Sequence, residues 1–489
     1  MMPAEPAATM PVFIALGGVV IYGALRIFPA AYRTRAGTLT ALWLALAFLQ
    51  MLYAVFQNPL PPNTSYLGLT TGLLITGIGA LAVFASQDLL DPKGPIHLYH
   101  PLVLFALAGA VAVGFAQDLF TIFVAVELSA VPVYALVAYR YQEDPAAIPA
   151  AMKYLILGVA GTITALLGVS ILYLAGHTLR LPELPAALAG TDQTVLLLAA
   201  VLILLGYGVK LAIVPLHTWL PDAYARAPVG VTAILVGATK TGVLVAMFLS
   251  LSALPFRLSL SADLGMLVIF FAILTMTAGN LLALNQQDLR YILAYSSVAQ
   301  MGYVLLGFGM GMLYDLELGF TAGLYYAIAY GIMKAGSFMA ADLFGRAAGS
   351  FELKRMRGIG AGYPLLGISF AIFILGLSGV PFTCGFLGKL LLEQAGMVTS
   401  MLSGVVLALI LALNSFISLG YYVPALSALS FRGADDAKET VPEKHLSLPA
   451  SAVFTVVLLA VVTAYLGLFP ESFGWITRAA QQLFPWGVV

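Results

Sequence analysis

Long apolar stretches separated by short polar breaks make up nearly the whole chain. Cutting at the breaks leaves fourteen runs, near residues 10–27, 38–57, 68–86, 99–116, 118–139, 152–175, 195–216, 230–252, 264–284, 290–311, 318–343, 364–398, 401–426 and 450–469. About 20 apolar residues carry a helix across the hydrocarbon core, so each run predicts one membrane span. The twelfth is overlong and is interrupted at Gly379-Val380-Pro381, which predicts a broken helix. The seventh holds Pro215, whose missing N–H frees the carbonyl at Leu211 and predicts a second break, beside Lys210. The two breaks are five spans apart. If spans four to eight and nine to thirteen are copies of one five-helix unit, the odd number forces opposite orientations, the inverted-repeat plan of many transporters.

The predicted fold class is therefore an all-α polytopic membrane protein with about 14 transmembrane helices, two inverted five-helix repeats and broken helices 7 and 12. It divides into an N-terminal three-helix segment (1–98), a first repeat (99–252), a second repeat (264–426), and a cytoplasmic loop with a C-terminal helix (427–489). Composition agrees: 61% of the 489 residues are hydrophobic and 9% charged, against about 25% charged in a soluble domain.

Charge placement checks the count. Loops after odd-numbered runs hold fifteen Lys and Arg, among them Arg33, Arg140, Arg355 and Lys438, while the opposite side holds only Arg180, Arg257 and Arg478. By the positive-inside rule both termini lie outside and the stretch from Arg432 to His445 is cytoplasmic. Met1 to Met10 carries an acid and no Lys or Arg, so the first run is expected to stay rather than be cleaved as a signal peptide. A lone cysteine, Cys384, excludes disulfides, cysteine-ligated iron–sulfur clusters and zinc sites within the chain. No cofactor or metal is expected here, and electrons are handled elsewhere, if at all. A net charge of zero gives no sign of a nucleic-acid partner. The glycine patterns Gly307–Gly311 and Gly358–Gly362 lack a preceding strand and read as helix packing, not as nucleotide loops.

The remaining four lysines, Lys210, Lys240, Lys334 and Lys389, sit inside apolar runs. Each costs about 2.5–3.5 kcal/mol at a bilayer centre on insertion scales, so all must face protein or water. Glu127 is placed the same way, near the middle of the fifth run. A carboxylate within ~4–6 Å favours the charged ammonium, whereas burial favours the neutral amine. A lysine whose partner comes and goes can thus be loaded and unloaded. The order this suggests is Glu127 modulating Lys210, Lys240 and Lys334 passing the proton laterally, and Lys389 delivering it, with short water links. Structural readings stand beside it: any of these lysines can snorkel or brace a helix, Glu393 can neutralise Lys389, and Asp118 suits an N-cap. His217 suits loop bracing or proton uptake, and Asp222 with Arg226 suits a loop ion pair.

The surroundings of these residues resemble a known family. Glu127-Leu128-Ser129-Ala130-Val131-Pro132-Val133-Tyr134 and Lys210-Leu211-Ala212-Ile213-Val214-Pro215-Leu216-His217-Thr218-Trp219-Leu220-Pro221-Asp222-Ala223 are similar to the antiporter-like subunits of respiratory complex I and of multisubunit sodium/proton antiporters. So are Arg290 with Leu293-Ala294-Tyr295-Ser296-Ser297, and Gly379 through Lys389. Within the family, that last motif looks most like the N subunit of a bacterial NADH:quinone oxidoreductase. The resemblance covers roughly residues 100–425. It implies fourteen helices, two inverted units and a proton route through Glu127, Lys210, Lys240 and Lys389. It also implies other membrane subunits as partners, with iron–sulfur clusters, flavin and quinone in those partners, and a prokaryotic plasma membrane. Tyr330 and Tyr224 stand where relatives often carry histidine, and Arg226 where an acidic or small residue is frequent; tyrosine is a poor proton carrier near neutral pH. The implied activity is proton translocation within a redox-driven pump. The alternatives are a sodium/proton antiporter or membrane-bound hydrogenase subunit, and a structural scaffold.

Overall fold

The computed structural model describes residues 9–27, 35–57, 60, 64–91, 94–255, 258–399, 401–430 and 446–483. The predicted cytoplasmic stretch from Arg432 to His445 falls outside them. The described chain is helical throughout and has no named strand. The principal helices are α1 (Met10–Ile27), α2 (Ala36–Val55), α3 (Tyr66–Ser86), α4 (Ile96–Val113), α5 (Leu119–Val137), α6 (Ala147–Gly176), α7 (Gln193–Leu211) and α8 (Leu220–Arg226). They continue with α9 (Val229–Ser252), α10 (Leu258–Leu284), α11 (Leu289–Tyr314), α12 (Glu317–Ala348), α13 (Pro364–Ser378), α14 (Cys384–Thr399), α15 (Met401–Ser430), α16 (Ala450–Leu468) and α17 (Gly474–Gln481).

Twelve of the described helices are long and apolar enough to cross a membrane. The two predicted runs not among them are α12, which carries Lys334, and the twelfth run, which is split into α13 and α14 of 15 and 16 residues. Burial sorts the bundle into two shells. The apolar windows of α9 and α11 are 94% buried, whereas those of α1 and α15 are 33% buried. The outer helices therefore spend one face on the bilayer, as Leu409 and Phe416 of α15 do. The inner ones must satisfy every polar group within the protein. Helix α12 lies at the centre, packed on α9, α11, α13, α14 and α16.

Two segments of the chain form matching clasps. Gln117-Asp118-Leu119 opens α5 and Gln287-Asp288-Leu289 opens α11. In each, the Asp side chain caps the helix, accepting from Thr121 N at 2.7 Å and from Arg290 N at 2.8 Å. The backbone on either side pairs with a distant loop: Leu119 N with Leu179 O and Leu181 N with Gln117 O, then Leu289 N with Phe351 O and Leu353 N with Gln287 O, all at 2.9–3.0 Å. Five candidate spans separate the clasps. An odd number of crossings sets them at opposite faces of the bundle. The glycine pattern at Gly307–Gly311 serves packing: a Cβ on Gly319 of α12 would strike the backbone of Gly311 on α11, and backbone cannot swing aside.

Gly319→Val is expected to destabilise the protein by about 1–3 kcal/mol through that overpacking. Thermal unfolding in detergent should show the drop, with Leu409→Val on the lipid-facing side of α15 as the silent control.

Candidate functional site

Helix α7 stops at Leu211, one residue after Lys210, and the stop is made by Ala212 in the left-handed region (φ 59°). Ile213 N donates to Gly208 O at 2.9 Å and the Trp219 indole donates to Val209 O at 2.7 Å, so carbonyls of the final turn are satisfied locally. The predicted break is present, but it falls three residues ahead of Pro215, which follows a cis peptide bond. The expected cause, a Leu211 carbonyl freed by that proline, is replaced by the left-handed Ala212. The Lys210 ammonium, 4% exposed, lies 3.1 Å from Glu127 Oε1 and donates to Tyr134 OH at 2.9 Å. Glu127 and Tyr134 are two turns apart on α5, hence on one face. The Lys210 end of the pair is enclosed and the Glu127 side chain is 24% exposed, so loss of the carboxylate strands the buried ammonium.

A cavity of 10 Å³ separates Lys210 from Lys240, room for a single water. Ser129, Tyr154, Trp219, Tyr224 and Thr239 contribute to its wall. The Ser129 and Tyr224 hydroxyls are buried there without a hydrogen-bond partner among the described residues. Lys240 itself follows a π-helical turn, Leu235–Thr239, which widens α9 just before the charge. Gly237 in that turn lets α12 approach closely at Gly331. The Lys240 Nζ is 3.5 Å from both Ser297 O and Tyr330 OH, and among the described residues no carboxylate pairs with it.

Lys334 occupies the other side of the same serine pair. It donates to Leu293 O at 3.0 Å and to the Ser296 hydroxyl, and stands 5.7 Å from the Tyr422 ring centroid. Gln300, one turn along α11 from Ser296, donates to Tyr422 OH at 3.4 Å and to Leu377 O at 3.2 Å, and accepts from the Tyr326 hydroxyl. Leu377 O and Ser378 O end α13, where Gly379 turns left-handed (φ 87°). Lys389 fills that end: its Nζ donates to both carbonyls, at 3.1 and 3.2 Å, and to Ser415 Oγ at 3.1 Å, with the Tyr303 ring 4.8 Å away. A cation at a helix C-terminus meets the negative end of the peptide dipoles. Lys334 and Lys389 are thus linked through Tyr422, Gln300 and one shared carbonyl.

The remaining candidates sort as follows. Pro381 lies in the gap between α13 and α14, and Glu393 makes no ion pair with Lys389, which is held by carbonyls instead. Asp118 caps α5. Asp222 and Arg226 do not pair with each other: Asp222 takes Lys153 at 2.9 Å and Arg226 takes Asp144 at 2.9 Å. They sit only four residues apart on short α8, yet each faces a different neighbouring element. His217 is half-buried in the loop after Pro215. Tyr330 stands between Lys240 and the core. Sequence reasoning missed Gln300, Ser415 and Tyr422; Ser296, Gln300 and Tyr303 recur at helical spacing on α11 and were readable as one polar stripe.

A family described as NADH:quinone oxidoreductase/Mrp antiporter, TM, matches residues 116–417. The chain is 30% identical to the F(420)H(2) dehydrogenase subunit N of Methanosarcina mazei, covering 97% of this chain and 98% of that one. It is 36% identical to the NADH-quinone oxidoreductase subunit N of Heliobacterium modesticaldum, over 83% of this chain and 82% of the relative. A chain of respiratory complex I from Thermus thermophilus with bound aureothin superposes with a TM-score of 0.74 at 27% identity, over 96% of this chain and 99% of that one.

Glu127→Ala alone is expected to cost up to about 3–5 kcal/mol by stranding the Lys210 charge, and Glu127→Gln with Lys210→Met to recover most of it. A double-mutant cycle of Glu127→Gln, Lys210→Met and the two combined, read by denaturant unfolding, checks this; a coupling near zero means the pair contributes no stability.

Proposed function

Because this chain belongs to the NADH:quinone oxidoreductase/Mrp antiporter transmembrane family, we infer that it is the proton-translocating membrane subunit of a redox-driven pump, of the N-subunit kind. Its partners are the other membrane subunits of a multisubunit oxidoreductase complex. It serves translocation, with flavin, iron–sulfur clusters and quinone chemistry assigned to those partners. The setting is a prokaryotic plasma membrane, with both termini outside by the distribution of Lys and Arg.

The observation that supports the relay is the polar line through the bundle. Glu127 holds the proton on Lys210 as an ion pair. Transfer to Lys240 runs through the small cavity, where the Ser129 and Tyr224 hydroxyls offer hydrogen-bond partners to one water. Lys240 and Lys334 then meet at adjacent residues of α11, Ser297 and Ser296. Two ammonium groups at one serine pair repel each other, so a proton arriving at the first favours departure from the second. Tyr422, Gln300 and Leu377 O continue the line to Lys389 as its polar wall; the Gln300 amide only donates and Leu377 O only accepts, so water along this wall has to carry the proton. Tyr330 needs no ionisation in this scheme, since a hydroxyl can accept from one side and donate to the other. A sodium site is built from oxygens, whereas this line presents ammonium groups, so proton carriage fits it better.

Lys210→Ala is expected to lower proton pumping roughly tenfold or more while the subunit still assembles. Pumping by the intact complex in proteoliposomes, alongside a subunit inventory, is the check, and unchanged pumping returns the lysines to a bracing role. Gln300→Leu tests the far half of the line. It should depress pumping with Lys210 and Glu127 intact, and full activity would mean that protons bypass Tyr422.

A further inference from the structure

Away from the lysines, an apolar chamber of 460 Å³ lies between α2, α3, α12 and α16, walled by residues such as Phe48, Leu74, Leu81, Ile332 and Val462. A second space of 520 Å³ adjoins it, and Tyr325 and Ile476 belong to both walls. This vestibule is lined in part by Glu317, Thr321, Glu471 and Thr477, and among its described lining residues there is no Lys or Arg. Each space falls in the range of about 300–1,000 Å³ typical of small-molecule sites.

Depth along the helices orders the parts. Glu317 starts α12, Tyr325 lies about 12 Å further along it and Ile332 about 22 Å, at 1.5 Å per residue. The vestibule is thus at one membrane surface and the chamber runs from it toward the bilayer middle. At the corresponding level of α3, four residues from the helix start, Thr70 lines the chamber. The residue is 4% exposed, and its hydroxyl oxygen is itself buried, without a hydrogen-bond partner among the described residues. Over the junction lies the short helix α17, which sends Trp475 and Ile476 into the chamber wall.

We propose that this two-part cavity is a binding site for one aminophospholipid, with an acyl chain in the chamber and the headgroup amine in the vestibule. Each region matches one part of that molecule. Alkyl and aromatic walls suit a hydrocarbon tail, which a polar ligand or a column of water cannot replace without losing hydrogen bonds. Glu317 and Glu471 offer negative charge at the surface, which selects a headgroup ending in ammonium over an anionic one. The wall formed by Tyr325, Ile328, Ala329 and Ile332 belongs to α12, the helix that carries Tyr330 and Lys334. A tail in the chamber therefore supports the relay helix from behind.

The test is native mass spectrometry of the intact complex. It is delipidated and then supplied with phosphatidylethanolamine or phosphatidylglycerol of the same acyl chains. Wild type is expected to retain phosphatidylethanolamine in preference. Combining Glu317→Gln and Glu471→Gln should cut that preference roughly tenfold, the scale of one lost charge-assisted contact. Ala80→Phe, and separately Ala45→Phe, should displace either lipid by filling the chamber, and using both positions guards against one variant misfolding. Equal retention of the two lipids by wild type, retention unaffected by either phenylalanine, or recovery of a quinone or a partner-subunit helix at this site overturns the proposal. None of these outcomes bears on pumping through Lys210.

Discussion

Burying four ammonium groups inside a lipid-solvated bundle is the constraint that organises this protein. Water is absent from the hydrocarbon core, so each charge needs oxygen atoms or π faces within the chain. The four solutions differ. Lys210 takes a carboxylate and a phenol, Lys240 a carbonyl and a phenol, Lys334 a carbonyl and a hydroxyl, and Lys389 two helix-terminal carbonyls and a hydroxyl. Lys240 and Lys334 use the second lone pair of Ser297 O and Leu293 O inside the continuous helix α11, whereas Lys389 uses carbonyls that a helix end leaves free. One interruption supplies its lysine directly: left-handed Gly379 ends α13 where Lys389 takes the Leu377 and Ser378 carbonyls.

The same constraint explains the two shells. Helices α9, α11 and α12 contribute most of the polar line and are almost wholly enclosed, while their neighbours present leucine, valine and phenylalanine outward. Close approach between the inner helices requires small residues at the crossings. Gly237 against Gly331 joins the π turn of α9 to the helix that carries Lys334. Stability and transport chemistry are therefore coupled locally, since the contacts that bring α9 to α12 also bring Lys240 to Tyr330.

Much of this was legible in the sequence, for physical reasons. A charge in an apolar run of 20 residues has few explanations, so Lys210, Lys240, Lys334, Lys389 and Glu127 stood out, and Gly379-Val380-Pro381 announced its own break. The N-cap at Asp118 followed from residue type and position. Other features were hidden because they depend on partners distant in the chain. Gln300 meets Tyr422 across 122 positions and Leu377 across 77. Nothing in the local sequence shows that Lys389 prefers the carbonyls of α13 to Glu393, or that Asp222 reaches back to Lys153. The π turn is not legible because α9 is buried on nearly every side and has no polar face whose phase could record the shift of about 100° that an extra residue causes. The likeness of Gln-Asp-Leu at 117–119 and 287–289 carries meaning only in three dimensions, where both triplets clasp distant loops.

An asymmetry along the line bears on how movement is driven. Lys210 has a carboxylate at 3.1 Å, whereas the described hydrogen-bond partners of Lys240, Lys334 and Lys389 are all neutral, and Glu393 acts on Lys389 only from beyond ion-pair contact. A proton leaving Lys210 strands the Glu127 carboxylate, so transfer inward is opposed for as long as that charge stays where it is. Glu127 is the one member of the pair near the protein surface. Its side chain is 24% exposed, on a face of α5 where Val124, Leu128 and Val131 are also exposed. A cationic group on an adjoining subunit, brought close to that face, would compete with Lys210 for the carboxylate. The pair that best stabilises the charge is in this way also the point at which a neighbour can act on it. No part of the lysine line itself needs to be exposed for the push to reach it.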